Sequence, residues 1–341
     1  MSEAHTIGLD LAKHVFQAHG ADASGRVVFR KRLRREGVLE FFAGKPPCVV
    51  AMEACSSAHH WGRTLAGLGH TVRLIPPAYV KPFVKRQKND AADAEAICEA
   101  AQRPTMRFVA LKSEAVQANA VVFRARDLLV RQRTQTINAL RGHLGEYGLV
   151  AARGVAQVGK LISHVENPQS GVPEAARQVL RVLVEALDGL GKQIALLDRE
   201  IAQRAREQED IQRLTTIPGV GPITATALAA LAPPAEAFRK GRDFAAWAGL
   251  TPLQHSTGGK QKLGATSKMG ERTLRRLLII GAGSVVCKAL REGPPAGSWL
   301  ERMLARKPRM LVIVALANKM ARTAWALMAK GEIYRAPAVA A

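Results

Sequence analysis

The sequence predicts an α/β layer followed by a longer, mostly helical region, and three observations point there. Within the first hundred or so residues, short β-branched runs alternate with helix-like stretches. Residues 114–148 then read as one long basic helix. From residue 214 to about 335 the chain reads as a further, mostly helical domain. A chain of 341 residues has room for two or three separate cores.

Residues 5–9, 15–20 and 27–33 read as strands, with a turn at Ser24 and Gly25 between the last two. Residues 37–43 can form a helix, and 48–52 form a buried apolar strand. Ser57 stands where it can cap a helix over 61–68. Residues 70–75 make a last strand, ended by Pro76 and Pro77. After the basic helix, Gly154, Gly159, Pro168, Gly171 and Pro173 mark a turn-rich stretch. Leu180, Leu183, Leu187, Leu190, Ile194, Leu197 and Ile201 then step by three and four, an a/d heptad seam of about three repeats. The seam suits an intramolecular hairpin and a dimerising coiled coil equally, and Gly189 and Gly191 weaken it locally. The expected division is residues 1–110, 111–212 and 213–335, with a disordered tail at 336–341.

The formal charge of +22 makes the compact state repel itself and calls for a polyanionic partner. Nucleic acid fits best, because a basic surface gains by releasing phosphate counterions. Aromatic residues are only 5%, so contacts to backbone and shape should outweigh stacking on bases. No membrane partner is expected: the apolar stretch 277–286 is short, and 310–328 carries Asn318, Lys319 and Arg322. Residues 1–5 lack the basic and apolar parts of a leader. Cys48, Cys55, Cys98 and Cys287 have no zinc or disulfide spacing. The expectation is a reduced cytoplasmic protein associated with the nucleoid.

Two acids close apolar strands, Asp10 after Ile7-Gly8-Leu9 and Glu53 after Val49-Val50-Ala51-Met52. Side chains at strand ends project to the sheet edge where sites are built. Asp90 and Asp93 follow in a stretch that is helical by composition, residues 88–96, and their spacing of three sets them on one face. Each acid alone also fits a turn, a cap or a solvated face. Together, in a basic protein, four carboxylates could hold two Mg²⁺ ions beside a phosphate. Glu95 and Glu99 fit a solvated helix face better.

Residues 215–228, with Ile217-Pro218-Gly219-Val220-Gly221-Pro222, read as a helix-hairpin-helix. Gly219 and Gly221 permit the tight turn, and the free amides opening the next helix can seat a phosphate. Further on, Gly249-Leu250-Thr251-Pro252 leads into His255-Ser256-Thr257-Gly258-Gly259-Lys260, then Lys262, then Lys268-Met269-Gly270. A helix over 271–278 carries Arg272, Arg275 and Arg276. A serine in a basic, glycine-containing loop can attack a phosphodiester while lysines and amides offset the developing charge.

The order strand–Asp10, two strands, helix, strand–Glu53 and a later DxxD helix resembles the RuvC-like branch of the RNase H fold. The segment 88–97 looks very like its counterpart in the DEDD transposases of the insertion-sequence-110 family. The 249–276 stretch resembles that family's C-terminal domain, and His255–Lys260 resembles its insertion-sequence-1111 subgroup. The resemblance covers about residues 7–107 and 215–327, while the middle matches only in being helical. It implies a transposase or site-specific recombinase in which Asp10, Glu53, Asp90 and Asp93 bind Mg²⁺ (or Mn²⁺). It implies that Ser256, twelve residues before Lys268, links covalently to DNA; Thr257 is the competing hydroxyl. With no general base beside the serine, activation falls to the metal. The implied partners are donor and target DNA, a non-coding guide RNA of the element, and further copies of the chain, a dimer or a tetramer in the synaptic complex. Two rivals stand beside this: a RuvC-like junction nuclease without a covalent intermediate, and a nucleic-acid-binding protein without catalysis.

Overall fold

Apolar residues at alternate positions sort the N-terminal strands into two faces, and the computed structural model, which describes residues 3–85 and 89–336, covers each face with helices. The strands are β1 (Thr6–Asp10), β2 (Val15–Ala21), β3 (Val27–Arg34), β4 (Val49–Glu53) and β5 (Thr71–Ile75). They lie side by side as β3-β2-β1-β4-β5. β2 runs antiparallel to both neighbours, whereas β1, β4 and β5 are parallel. Hydrophobic burial thus produces a mixed five-stranded sheet, compatible with the RNase H-like expectation.

On one face, Ile7, Leu9, Phe16, Val50 and Met52 form a core with Val38 and Phe42 of α1 (Val38–Ala43) and Trp61 and Leu65 of α2 (Ala58–Gly67). After β5 comes α3 (Pro77–Val80). On the other face, Ala51 and Ile75 meet Ile97, Ala100 and Ala101 of α4 (Asp90–Ala101). This alanine-rich helix sits unusually close to β1. A Cβ at Gly8 would lie 2.2 Å from the Ala94 carbonyl oxygen and 2.6 Å from the Cys98 nitrogen. Only glycine permits that approach. One local expectation fails: Ser57 holds the N-cap position of α2, but its side chain makes no cap hydrogen bond and its φ is 71°. A capping serine ordinarily has extended backbone, and Ser57 has left-handed backbone instead.

The chain divides into Met1–Glu114 and Ala115–Ala341. α5 (Glu114–Gly145) starts at this boundary, followed in the second unit by α6 (Val158–Glu166) and α7 (Glu174–Glu207). α5 and α7 pack antiparallel. Arg126 meets Asp198 at 2.5 Å and Arg204 meets Asn119 at 3.0 Å, while Leu140 and Leu144 share a core with Leu180 and Leu187. In the heptad seam Leu180, Leu187, Ile194 and Ile201 are buried inside this one chain. The stretch expected to be only turns contains α6, because Leu161 and Val165 are fully buried against this pair. Arg177, 2% exposed, closes the α6–α7 turn by donating to the carbonyls of Val165, Asn167, Pro168 and Val172.

Then come α8 (Glu209–Thr215), α9 (Pro222–Leu231), α10 (Gly241–Trp247), the strands β6 (Pro252–Gln254) and β7 (Leu263–Thr266), α11 (Arg272–Glu292), α12 (Trp299–Leu304) and α13 (Arg309–Lys330). Leu214, Leu228, Phe244, Leu278 and Val312 belong to one core. α13 is long and apolar enough by length and composition to cross a membrane, but Val312, Ile313, Ala317, Met320 and Leu327 are core residues. The tight α8–α9 turn rests on α11: a Cβ at Gly281 would lie 2.0 Å from the Gly219 oxygen. The tail residues 337–341 and Lys88 lie outside the described residues.

Candidate functional site

β1 and β4 are parallel neighbours with Leu9 opposite Met52, so the next residues, Asp10 and Glu53, leave the sheet side by side at the same edge. Two-residue periodicity puts Asp10 on the face of Gly8 and Glu53 on the face of Ala51, the face covered by α4. α4 starts at that edge. Asn89 is its N-cap, and its side-chain oxygen accepts from the Ala91 amide at 3.0 Å. Asp90 and Asp93 then occupy the first turn, where the helix dipole favours negative charge. Because Gly8 seats the helix on β1, that turn reaches Asp10. Carboxylate oxygens of Asp10, Asp90 and Asp93 lie within 4.8 Å of one another. Glu53 stands outside this trio, yet close enough to act on it.

The electrostatics match the crowding. Burial, then Asp93, Asp90 and Glu53, push the Asp10 carboxyl up to about 6. Burial and then Asp93 raise Glu53 as well. Nearby acids on the same helix behave differently. Glu95 is paired with Lys85 at 2.5 Å and Arg30 at 3.2 Å, and the Lys85 hydrogen bond leads in lowering its pKa. Glu99 is paired with Arg103 at 2.6 Å. Asp10, Glu53, Asp90 and Asp93 form no ion pair among the described residues, in a chain that carries 50 lysines and arginines. Hard oxygen donors, clustered and with no cationic partner among the described residues, fit a divalent cation that takes oxygen ligands. The sequence offered no reason to single out Cys55. Its thiol is pushed up by burial, then by Glu53 and Asp10, which places it beside the cluster.

Ser256 belongs to a β-hairpin that the sequence showed only as a loop, since β6 and β7 are short and lack an apolar face. His255 donates its amide to Lys262 at 2.8 Å, and Thr257 and Lys260 exchange backbone bonds at 3.2 and 2.9 Å. Gly258 and Gly259 between them have φ of 53° and 75°, the positive values a two-residue hairpin turn requires. Ser256 is exposed beside this tip, with the Lys262 amide 3.4 Å from its Oγ. Lys260, Lys262 and Lys268 are exposed as well.

The hairpin's roots are locked. A Cβ at Gly249 would lie 2.2 Å from the Met269 oxygen, and one at Gly270 would lie 1.7 Å from the Trp247 oxygen. Arg275 donates to the Met269 carbonyl at 2.6 Å and the Ala248 carbonyl at 3.2 Å. Arg276 pairs with Asp127 on α5. Of the three helix arginines, Arg272 alone is exposed. Gly221 has open space around it, whereas Gly219 combines a φ of 86° with the contact to Gly281.

Comparisons with known proteins match both regions. A model described as the transposase IS116/IS110/IS902 family matches residues 211–293, and a transposase model for IS110 DEDD proteins matches residues 7–149. The chain is 50% identical over 331 residues to a "Probable family 20 transposase" of Pseudomonas aeruginosa, spanning 96% of this chain and 98% of that one. It is 40% identical over 334 residues to the transposase for insertion sequence element IS1328 of Yersinia enterocolitica, covering 98% and 99%. It is 38% identical over 336 residues to the transposase for insertion sequence element IS1111A of Coxiella burnetii, covering 98% and 92%. With the acidic sheet edge in one unit and the glycine-locked hairpin in the other both inside matched regions, the chain belongs to the IS110 family of insertion-sequence transposases, in its IS1111 subgroup, and is a DNA transposase.

Proposed function

We propose that the chain cuts and rejoins donor and target DNA through a phosphoserine intermediate, with Ser256 as nucleophile and Mg²⁺ or Mn²⁺ held by Asp10, Glu53, Asp90 and Asp93. The observation that carries this is the convergence of Asp10, Asp90 and Asp93 within 4.8 Å at one sheet edge. Acids crowded together repel a phosphate as well as each other, and a cation between them reverses both effects. When bound, the cation supplies Lewis-acid stabilisation of charge developing on the phosphoryl oxygens.

The chain's own residues account for the rest. The Ser256 Oγ forms a bond to phosphorus as the bond from phosphorus to the departing strand breaks. The serine gives up a proton and the departing oxygen gains one. The new ester keeps the bond energy, so a DNA hydroxyl can later attack it and free the serine. Lys260 and Lys262 flank the serine at the tip and offset phosphate charge. The serine reaches the acidic edge from the same chain or from another copy, in an assembly of two or four. The amides opening α9 beside Gly221 act as a backbone phosphate seat in helix-hairpin-helix fashion. A non-coding RNA of the element pairs with both DNAs, while the protein holds backbone and shape. The +22 charge and the 5% aromatic content support that division of labour.

The test is a denaturing gel of the protein incubated with its co-purifying RNA, donor and target DNA and Mg²⁺. A covalent adduct is expected, lost in Ser256→Ala, kept in Thr257→Ala, and not formed when the protein is treated with RNase beforehand. Cleavage without an adduct would make the protein a metal nuclease. Unchanged DNA processing by Asp10→Asn would remove the metal site.

A further inference from the structure

The pairing register carries the acidic edge sideways across the sheet. Asp10 lies opposite Gln17 on β2, and Gln17 lies opposite Arg32 on β3. The same row relation holds one step inward, where Gly8 faces His19 and His19 faces Arg30. Arg30 reaches Glu95 on α4, so this set of alternate residues is on the α4 face. The intervening residues point the other way: Phe29 packs on Phe41, the Lys31 ammonium sits 4.9 Å over the same ring, and Leu33 is buried in the α1–α2 core. Between Gly20 and Val15 the register is unbroken, so the alternation is strict there.

Arg32 and Arg34 are exposed on the face that carries the cluster, and neither forms an ion pair among the described residues. Two strand spacings put the Arg32 backbone about 9.5 Å from that of Asp10, within the span of an extended arginine and a phosphate. Arg32 and Arg34 are two residues apart, about 6.6 Å along the strand. That is comparable to the step from one phosphate to the next in a nucleic-acid strand.

We propose that Gln17, Arg32 and Arg34 form a track beside the acidic edge, holding the backbone of the DNA strand whose phosphate Asp10, Asp90 and Asp93 receive. The track rests on reading those acids as a metal site for DNA. Gln17, between acid and arginine, hydrogen-bonds the phosphate next to the reacting one, and Arg32 and Arg34 neutralise the following ones. The competing explanation is that β3 is an edge strand, and edge strands carry cations to discourage pairing with other chains. That explanation depends on charge alone and makes Lys31 and Arg32 equivalent.

Fluorescence anisotropy of the full-length protein with a labelled 30-base-pair duplex, in EDTA across a salt series, separates the two. Arg32→Ala should weaken binding about tenfold and lower the salt slope by about one. Arg32→Lys should restore most of the affinity, and Lys31→Ala should stay close to wild type. Equal losses in Lys31→Ala and Arg32→Ala, or no loss in Arg32→Ala, would overturn the track. Thermal stabilisation by Mn²⁺, measured in parallel, reads the acids separately. Arg32→Ala should keep it and Asp10→Asn should lose it. If wild type shows no Mn²⁺ effect while Arg32→Ala still loses DNA affinity, the metal reading fails and the arginines remain a DNA contact.

Discussion

Asp10 is held in the folded chain at a pKa of about 6, against 3.8 when unperturbed, chiefly by burial and then by Asp93. The folded state therefore binds this proton more tightly than the unfolded state. Stability from this group is fully present below about pH 4 and is lost as pH rises through about 6. In EDTA, Asp10→Asn should raise the melting temperature by a few degrees at pH 7.5 and change it little at pH 4. With screening at a half-exposed carboxylate discounted, this corresponds to about 1–2 kcal/mol. Thermal scans at both pH values check it, and an equal shift at both would contradict it. Arg177 makes the opposite case, an ion whose removal hurts. It is 2% exposed and satisfies four carbonyls in one turn. Arg177→Ala should cost about 3 kcal/mol or more in urea unfolding, and Arg177→Lys should recover little, because an ammonium cannot spread its donors over that fork. At this scale the gathering of Asp10, Asp90 and Asp93 was legible, because Asp10 ends an apolar strand and Asp90 and Asp93 stand three residues apart. Gln17 and Arg32 were not, since their relation to Asp10 exists only in the pairing register.

Among elements, α4 decides whether the acids meet, and Gly8 decides where α4 lies. Gly8→Ala puts a methyl 2.2 Å from the Ala94 oxygen, which only movement of the helix relieves. Overpacking of this kind costs about 1–3 kcal/mol. It should also spread the cluster and weaken Mn²⁺ binding at least about tenfold by calorimetry, a loss the size of a disturbed supporting contact at a metal site. Gly37→Ala, with open space around it, is the control and should change neither. Strands over 5–9, 15–20 and 27–33 fall within a residue or two of β1, β2 and β3, because short apolar runs bounded by turn residues mark them. α6 escaped notice because Gly159 and Pro168 spoke for turns, whereas Leu161 and Val165 gain stability only from partners elsewhere in the chain. β6 and β7 were illegible for a simpler reason: three and four mostly exposed residues carry no periodicity. The α11 helix, expected to end near 278, continues to Glu292, since Gly281 serves a close approach to Gly219 and not a stop.

For the molecule as a whole, +22 governs how it meets DNA. If the chain covers six to ten phosphates, affinity for a non-specific duplex should fall by about 10³–10⁵ between 50 and 200 mM salt. A nearly flat salt response in the same anisotropy titration would rule out backbone contacts as the main source of affinity. Composition alone supported this expectation, because net charge needs no fold to be read. The small acidic island inside that field has a consequence for timing. A divalent cation approaching the free protein is repelled by the bulk charge and attracted only at close range by the island. Bound DNA cancels much of the bulk charge, so it would tighten cation uptake, and the cation would by reciprocity tighten DNA. Each would act as the other's effector, leaving a molecule adrift from DNA short of metal and silent.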